Sequence, residues 1–266
     1  MMYRYPLKGL SVREFLEKMH LAGSKVNLIV NDHKYTLEED ELLLDASLFN
    51  EKEIKPASGN LDIIYQDEAI LVVNKPKGII IYSDNEDEVT LDALVANFLA
   101  SIGKPKVARH IYRIDKDTSG LMVYALDPLT LSYLSFLNET RTLEKTYYCL
   151  CHGVFAKKEG TIDLPIARNR HDAKKMMVYK KGEQAITKYK VIAETNRVSL
   201  LAVQLVTGRT HQIRVHMSYL GHPIIGDELY GIKEDLPLQL EVGEVSFVHP
   251  FSDQLLNIEL SKKLRL

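Results

Sequence analysis

Residues 112–120 read YRIDKDTSG: an arginine and an aspartate on an apolar run, broken at once by a Thr-Ser-Gly turn. With His110 and Ile111 before it and LMVYA after it, the pattern predicts a strand, a tight polar turn and a second strand. Asp115 alternates with Arg113, so the two share a face of an extended segment while Ile114 points to the other. A carboxylate held beside an arginine is oriented for work as a nucleophile or a general base. The same residues also read as a capped turn, because Asp, Thr, Ser and Gly all form turns. The rest of the chain has to separate the two.

Working outward, the 266 residues are 45% hydrophobic and 26% charged, enough for one large domain and a small one. No apolar run approaches a membrane span and MMYRYPLKGL lacks the apolar centre of a signal peptide, so a cytoplasmic protein is expected. Cys149 and Cys151, two apart in a predicted strand, are expected to face opposite ways and neither to pair nor to chelate. The net charge of -2 conceals an asymmetry. Residues 1–100 carry 10 Lys and Arg against 18 Asp and Glu, whereas residues 141–190 carry 12 against 5. Such a local basic surface suits a polyanion; the plainer reading is a solvated basic face.

In chain order, residues 11–19 predict a helix with a Ser11/Glu14 capping box and an apolar stripe of Val12, Phe15, Leu16 and Met19. A second short helix over 24–30 and strand-like turns over 37–48 follow. Helix, helix and hairpin resemble the small RNA-binding domain that ribosomal small-subunit proteins share with several RNA-modifying enzymes, here in a degenerate copy poor in Lys and Arg. The plainer reading is a packing domain. Residues 51–60 form a polar linker. Then come a hairpin over 63–73, the bend NKPKG at 74–78, a strand over 79–82, an acidic loop over 84–88, and helices over 90–102 and 128–138. In TGRTHQIRVH, residues 207–216, Gln212, Arg214 and His216 are expected on one face of an extended segment. Strands in adjacent runs predict an α+β fold with a largely antiparallel sheet, the domains being residues 1–55 and 56–266.

Four pieces stand in order: NKPKG at 74–78, RIDKDTSG at 113–120, KTY at 145–147, and TGRTHQIRVH continuing to GHPIIGDELYG. Together they resemble the RluA-like family of pseudouridine synthases, from about residue 61 to residue 259. The resemblance implies the pseudouridine synthase fold, a largely antiparallel mixed sheet around a central cleft, and a cofactor-free isomerisation of uridine in ribosomal or transfer RNA. Asp115 falls on the family's catalytic aspartate, which attacks ribose carbon 1′ or removes the 2′ proton. Arg214 falls on its basic catalytic partner, Tyr147 on the active-site tyrosine that stacks on uracil or also handles the proton at carbon 5, and Arg113 on the arginine that fills the gap when the target base is flipped out. Lys75, Thr118, Arg209, His211 and Gln212, from the same motifs, are expected to bind substrate. Arg168, Arg170, Lys174 and Lys175 are expected to hold backbone phosphates. The family usually has His where Tyr112 stands and Leu where Ile114 stands.

Two rivals remain at this point. Asp115 to Ser119 nearly matches the DxDx[TV] signature of haloacid-dehalogenase-type phosphatases, but with Ser at the fifth position and without parallel α/β alternation. A noncatalytic RNA-binding module would also account for the basic segment. Neither a metal nor a nucleotide cofactor is expected, the His spacing matching no common ligand pattern, and the chain is expected to be a monomer.

Overall fold

The computed structural model describes residues 1–49, 53–85, 88–104 and 107–266. The amino-terminal unit is built from β1 (Met2–Pro6), α1 (Val12–Lys18), α2 (Gly23–Asn31), β2 (Thr36–Glu38) and β3 (Glu41–Asp45). Its strands form a sheet of their own, β1-β3-β2. The capping box is present: Ser11 accepts from the Glu14 amide while the Glu14 carboxylate accepts from the Ser11 amide. The strand β1 has an alternating buried pattern but was not anticipated. The turn of the β2–β3 hairpin falls at Glu39 and Asp40.

The larger domain holds β4 (Asp62–Gln66), β5 (Ile70–Lys75), α3 (Leu91–Ser101), β6 (Arg109–His110), β7 (Ser119–Ala125), α4 (Pro128–Glu139), β8 (Glu144–His152), β9 (Glu159–Asp163), β10 (Ile166–Arg168), β11 (Met176–Val178), β12 (Ile186–Glu194), β13 (Val198–Leu205), α5 (Gln212–Tyr219), β14 (Leu240–Val248) and β15 (Leu255–Glu259). Ten of the strands make one sheet, in the order β4-β5-β7-β14-β8-β13-β12-β9, with β15 on β14 and β6 on β7. Its pairings are antiparallel except β7 with β14, which run parallel. The strand-helix repetition of a phosphatase of the DxDx[TV] type is therefore not this architecture. The β10–β11 hairpin stands apart as a two-stranded sheet.

Local sequence explains most boundaries. Thr90 caps α3, and Asp127 caps α4 with Pro128 at the first turn. Asp127 also ties the two units together, accepting from the buried Tyr5 hydroxyl at 2.9 Å. Around it, His20 stacks on Phe136 at 3.5 Å and Lys18 reaches Asp253 at 2.9 Å. A single apolar core runs from Tyr3 to Leu260 through both units.

Several expectations fail for physical reasons. The strand expected over 79–82 is absent; only an isolated bridge, Ile80 to Thr90, forms there. The strand expected through Arg113 and Asp115 ends at His110, and residues 111–118 are an irregular loop. Gln212, Arg214 and His216 sit on α5, a helix. Six consecutive residues, Gln212–Met217, are buried, so this helix has no polar face to reveal its period. Cys149 and Cys151 share one face of β8, as residues two apart on a strand must. Both are buried, with their sulfurs 3.7 Å apart. Residues 51–52 of the expected linker and 86–87 of the acidic loop lie outside the described residues; Ala57, further along that linker, donates its amide to the Ala93 carbonyl on α3.

Candidate active site

The motif loop 111–118 is shaped by its surroundings more than by its own turn propensity. Lys75, at the end of β5, is fully buried and donates to the carbonyls of Lys116 (2.8 Å), Thr118 (2.8 Å) and Pro76 (3.0 Å). Gly78 donates its amide to the same Lys116 carbonyl at 2.9 Å. The expectation that Lys75 binds substrate is therefore corrected: all three of its donors are spent on holding the loop from behind. Gly120 then lets the chain enter β7 against β14. It lies at φ +112°, and a Cβ there would meet the Val242 carbonyl oxygen at 2.3 Å.

The loop places Asp115 in the lining of a cavity of about 1090 Å³. Tyr147, on the central strand β8, lines the same cavity, as do Arg113, Thr118, Arg209, His211 and Arg214. Facing Asp115 are Arg214, with Nη1 3.8 Å from Oδ2, and His211, with Nε2 3.9 Å from the same oxygen. Both distances exceed hydrogen-bond reach, so the carboxylate is flanked without being consumed.

Arg214 is fixed in place by a residue the sequence reading treated only as part of a turn. Its Nε and Nη2 donate to Asp227 Oδ2 (2.8 Å) and Oδ1 (2.7 Å), a two-point clamp with 4% of the arginine exposed. Asp227 Oδ1 also accepts from the amides of Leu229 and Tyr230 at 3.1 Å each. Burial works against the guanidinium charge, but the bonds to Asp227 outweigh it and raise the Arg214 pKa further. The Tyr230 ring lies 5.2 Å from the guanidinium carbon, and its hydroxyl is 2.7 Å from His211 Nδ1. Asp227 and Tyr230 both belong to the quoted GHPIIGDELYG segment, but Arg214 stands 13 residues earlier in the chain, so no local spacing signals the pairing.

His211 precedes α5 in a left-handed conformation, φ 56°. Burial lowers its pKa, with Asp115 opposing, so Arg214 is the fixed cation beside the aspartate. Tyr147 is 8% exposed; burial first, and Asp115 second, push its phenol well above the usual tyrosine value. It is a neutral phenol across the ordinary pH range. Its hydroxyl has no hydrogen-bond partner among the described residues, which leaves it for whatever enters the cavity.

The other expected substrate contacts divide. Arg113 is exposed, donates to the Tyr82 hydroxyl at 2.7 Å and lies 5.7 Å from that ring. Thr118 is buried at the cavity floor, its carbonyl taken by Lys75. Arg209 pairs with Glu183 and donates to the Gln184 carbonyl at 3.0 Å. Gln212 is corrected to a structural role. Its oxygen accepts from the Thr207 hydroxyl and the Arg209 amide, both at 3.0 Å, and its nitrogen donates to Ile186 and Thr187. Arg168, Arg170, Lys174 and Lys175 lie on the β10–β11 hairpin, outside the cavity lining. Asp117 is exposed and also outside it. Among the described residues no cluster of three or more His, Cys, Asp or Glu side chains is spaced to hold a metal, and no helix is long and apolar enough to cross a membrane.

Comparison with known proteins agrees with this geometry. The model of the RNA pseudouridylate synthase family matches residues 69–219, which include Asp115, Tyr147 and Arg214. A Bacillus subtilis protein described as the uncharacterized RNA pseudouridine synthase YhcT is 37% identical over 225 residues, covering 83% of this chain and 74% of that protein. The ribosomal large subunit pseudouridine synthase D of Borreliella burgdorferi is 33% identical over 240 residues, covering 80% and 72%. Among solved structures, human RNA pseudouridylate synthase domain containing 1 superposes with a TM-score of 0.65 at 25% identity, covering 79% of this chain and 86% of that one.

Proposed function

The chain belongs to the RNA pseudouridylate synthase family and is an isomerase that converts uridine in RNA to pseudouridine; from that premise we propose that Asp115 is its catalytic residue. The observation that carries this is the placement of one carboxylate in the cavity lining, 3.8 Å from a guanidinium that Asp227 clamps with two hydrogen bonds. In the reaction the bond between uracil N1 and ribose carbon 1′ breaks, the uracil turns, and carbon 5 bonds to carbon 1′ while its proton is lost and N1 gains one. Asp115 attacks carbon 1′ or removes the 2′ proton. Its position between Arg214 and His211 suits either step, since both leave its open face toward the cavity.

Tyr147 lies against the uracil, and burial keeps its hydroxyl protonated so that it donates there. Arg113, exposed and steadied by Tyr82, takes the place of the base that leaves the stack. Thr118, Arg209 and His211 line the pocket that the nucleotide enters. The hairpin cations Arg168, Arg170, Lys174 and Lys175 hold phosphates farther out. The amino-terminal unit, residues 1–55, is a packing unit for the catalytic domain that follows, because the cations of residues 1–49 are engaged within the protein. The substrate is ribosomal or transfer RNA, met in the cytoplasm by a monomer; the name of the Borreliella burgdorferi relative favours ribosomal RNA.

Mapping pseudouridines by chemical labelling and primer extension, in cells lacking the protein and in cells rescued with wild type or Asp115→Asn, tests this. A site that vanishes, returns with wild type and stays absent with the variant is expected. Return of the site with Asp115→Asn would make another residue catalytic.

A further inference from the structure

Two cations of the cavity wall, Arg141 and Lys145, have no acidic counter-ion among the described residues. Arg141 follows α4 with φ 65°, in the left-handed region where glycine or asparagine is the unstrained choice. A Cβ on Gly208 would stand 3.7 Å from its Nη2, so the guanidinium lies along the bare backbone of the TGRTH loop. Lys145, on the same face of β8 as Tyr147, donates to the amide oxygen of Asn138 at 2.8 Å. Its ammonium lies 4.5 Å from the centroid of the Tyr112 ring. Among the described residues neither cation has an acidic partner within ion-pair distance. Burial, and then Arg141, push Lys145 down to about 8.

Like charges gathered in a partly dehydrated wall repel until an anion joins them. Backbone strain at Arg141 points the same way, since strain persists at sites where the surroundings use it. Tyr112, where the family usually has His, is buried and donates its hydroxyl to the Leu121 carbonyl at 2.6 Å. Its ring is thus a fixed seat for the ammonium and is not free to touch RNA.

We propose that Arg141 and Lys145 form an anion subsite for the RNA phosphodiester next to the target uridine, with Tyr112 as the positioning residue that holds Lys145 there. The subsite rests on the reading of this cavity as the uridine pocket. It places the phosphate by charge and geometry and leaves the base to Tyr147.

The test uses the full chain and a fluorescent oligouridylate pentamer in which each phosphodiester in turn is replaced by an uncharged methylphosphonate. Wild type should lose about tenfold in affinity at one linkage. Lys145→Gln, which can still donate to Asn138, and Arg141→Asn, which suits a left-handed φ, should each bind the unmodified pentamer about tenfold more weakly, with a salt slope smaller by about 0.7. Neither should lose more at the sensitive linkage, and Lys145→Arg should restore it. Tyr112→Leu should shift the alkaline weakening of binding to lower pH, an effect that a merely structural role would not produce. If the variants keep the wild-type salt slope, or stay sensitive at the same linkage, the subsite is wrong. Pseudouridine formation on cellular RNA is read separately, so an active enzyme without linkage sensitivity overturns the subsite alone.

Discussion

The amino-terminal unit and the β10–β11 hairpin treat their cations in opposite ways. In residues 1–49 every Lys and Arg has a partner within the protein: Arg4 pairs with Glu38, Arg13 with Glu17, Lys34 with Asp32 and Lys18 with Asp253, while Lys25 and Lys8 donate to the carbonyls of Leu48 and Phe251. On the hairpin Arg168, Arg170, Lys174 and Lys175 make no side-chain ion pair among the described residues. Each surface pair is worth little to stability, yet its cation is partly neutralised and less available to a phosphate. The comparison separates cations that hold the fold from cations left open, and it is the open ones that we propose meet RNA. Arg214 and Lys75 extend the fold-holding class into the interior, and Arg141 extends the open class into the cavity, with Lys145 held by Asn138 beside it.

The sharpest way to break this division is Asp227→Asn. It leaves the Arg214 guanidinium buried beside a neutral amide and should cost about 3–5 kcal/mol in urea unfolding, with isomerisation slowed on the order of 100-fold as Arg214 shifts. Unchanged stability would mean that Arg214 needs no partner. Next is Lys75→Met, which strips the donor from three loop carbonyls. We expect about 3 kcal/mol of lost stability with RNA affinity close to wild type; a large loss of affinity with full stability would return Lys75 to the substrate.

Replacing the four hairpin cations by Gln should do the reverse. Unfolding should change by less than about 0.5 kcal/mol, and the slope of log affinity against log salt should flatten by about 3. The same exchange at Arg4, Arg13 and Lys34 should leave the slope alone. The smallest effect concerns pH. Lys145, pushed down to about 8, is charged below that value and neutral above it. Its proton is lost from the folded protein before the unfolded one, so as pH rises from about 8 to 10.5 the cost of burying this ammonium is relieved and stability climbs, while RNA binding weakens. The apparent KM should therefore rise across pH 8, with kcat unmoved by Lys145.

Much of this was legible from the chain. The helices α1, α3 and α4 announce themselves by Ser11, Thr90 and Asp127 at their starts and by apolar stripes behind. Hairpin β4–β5 and strands β8 and β13 follow from apolar, β-branched and aromatic runs. What escaped notice is tertiary. The helix α5 looks like a strand because Ile213 and Val215 alternate with polar residues that turn out to be buried as well. Residues 111–118 are a loop because Lys75, 43 residues from Thr118, captures its carbonyls. The union of Asp115 with Tyr147 and Arg214 was inferred from family resemblance alone, since nothing in local spacing brings β8 and α5 to one cavity. Asp227 went unassigned because its partner lies on a helix that the alternation concealed.

The most direct measurement is made on purified Asp115→Asn, whose side chain keeps the size of the original. Incubated with cellular RNA from a strain lacking the protein, and compared with wild type for RNA affinity and for pseudouridine formed, it should bind within about threefold and modify nothing detectable, a loss of at least about a thousandfold. Pseudouridine formed by the variant at a rate near wild type would contradict the assignment of Asp115 and return this loop to the role of a capped turn.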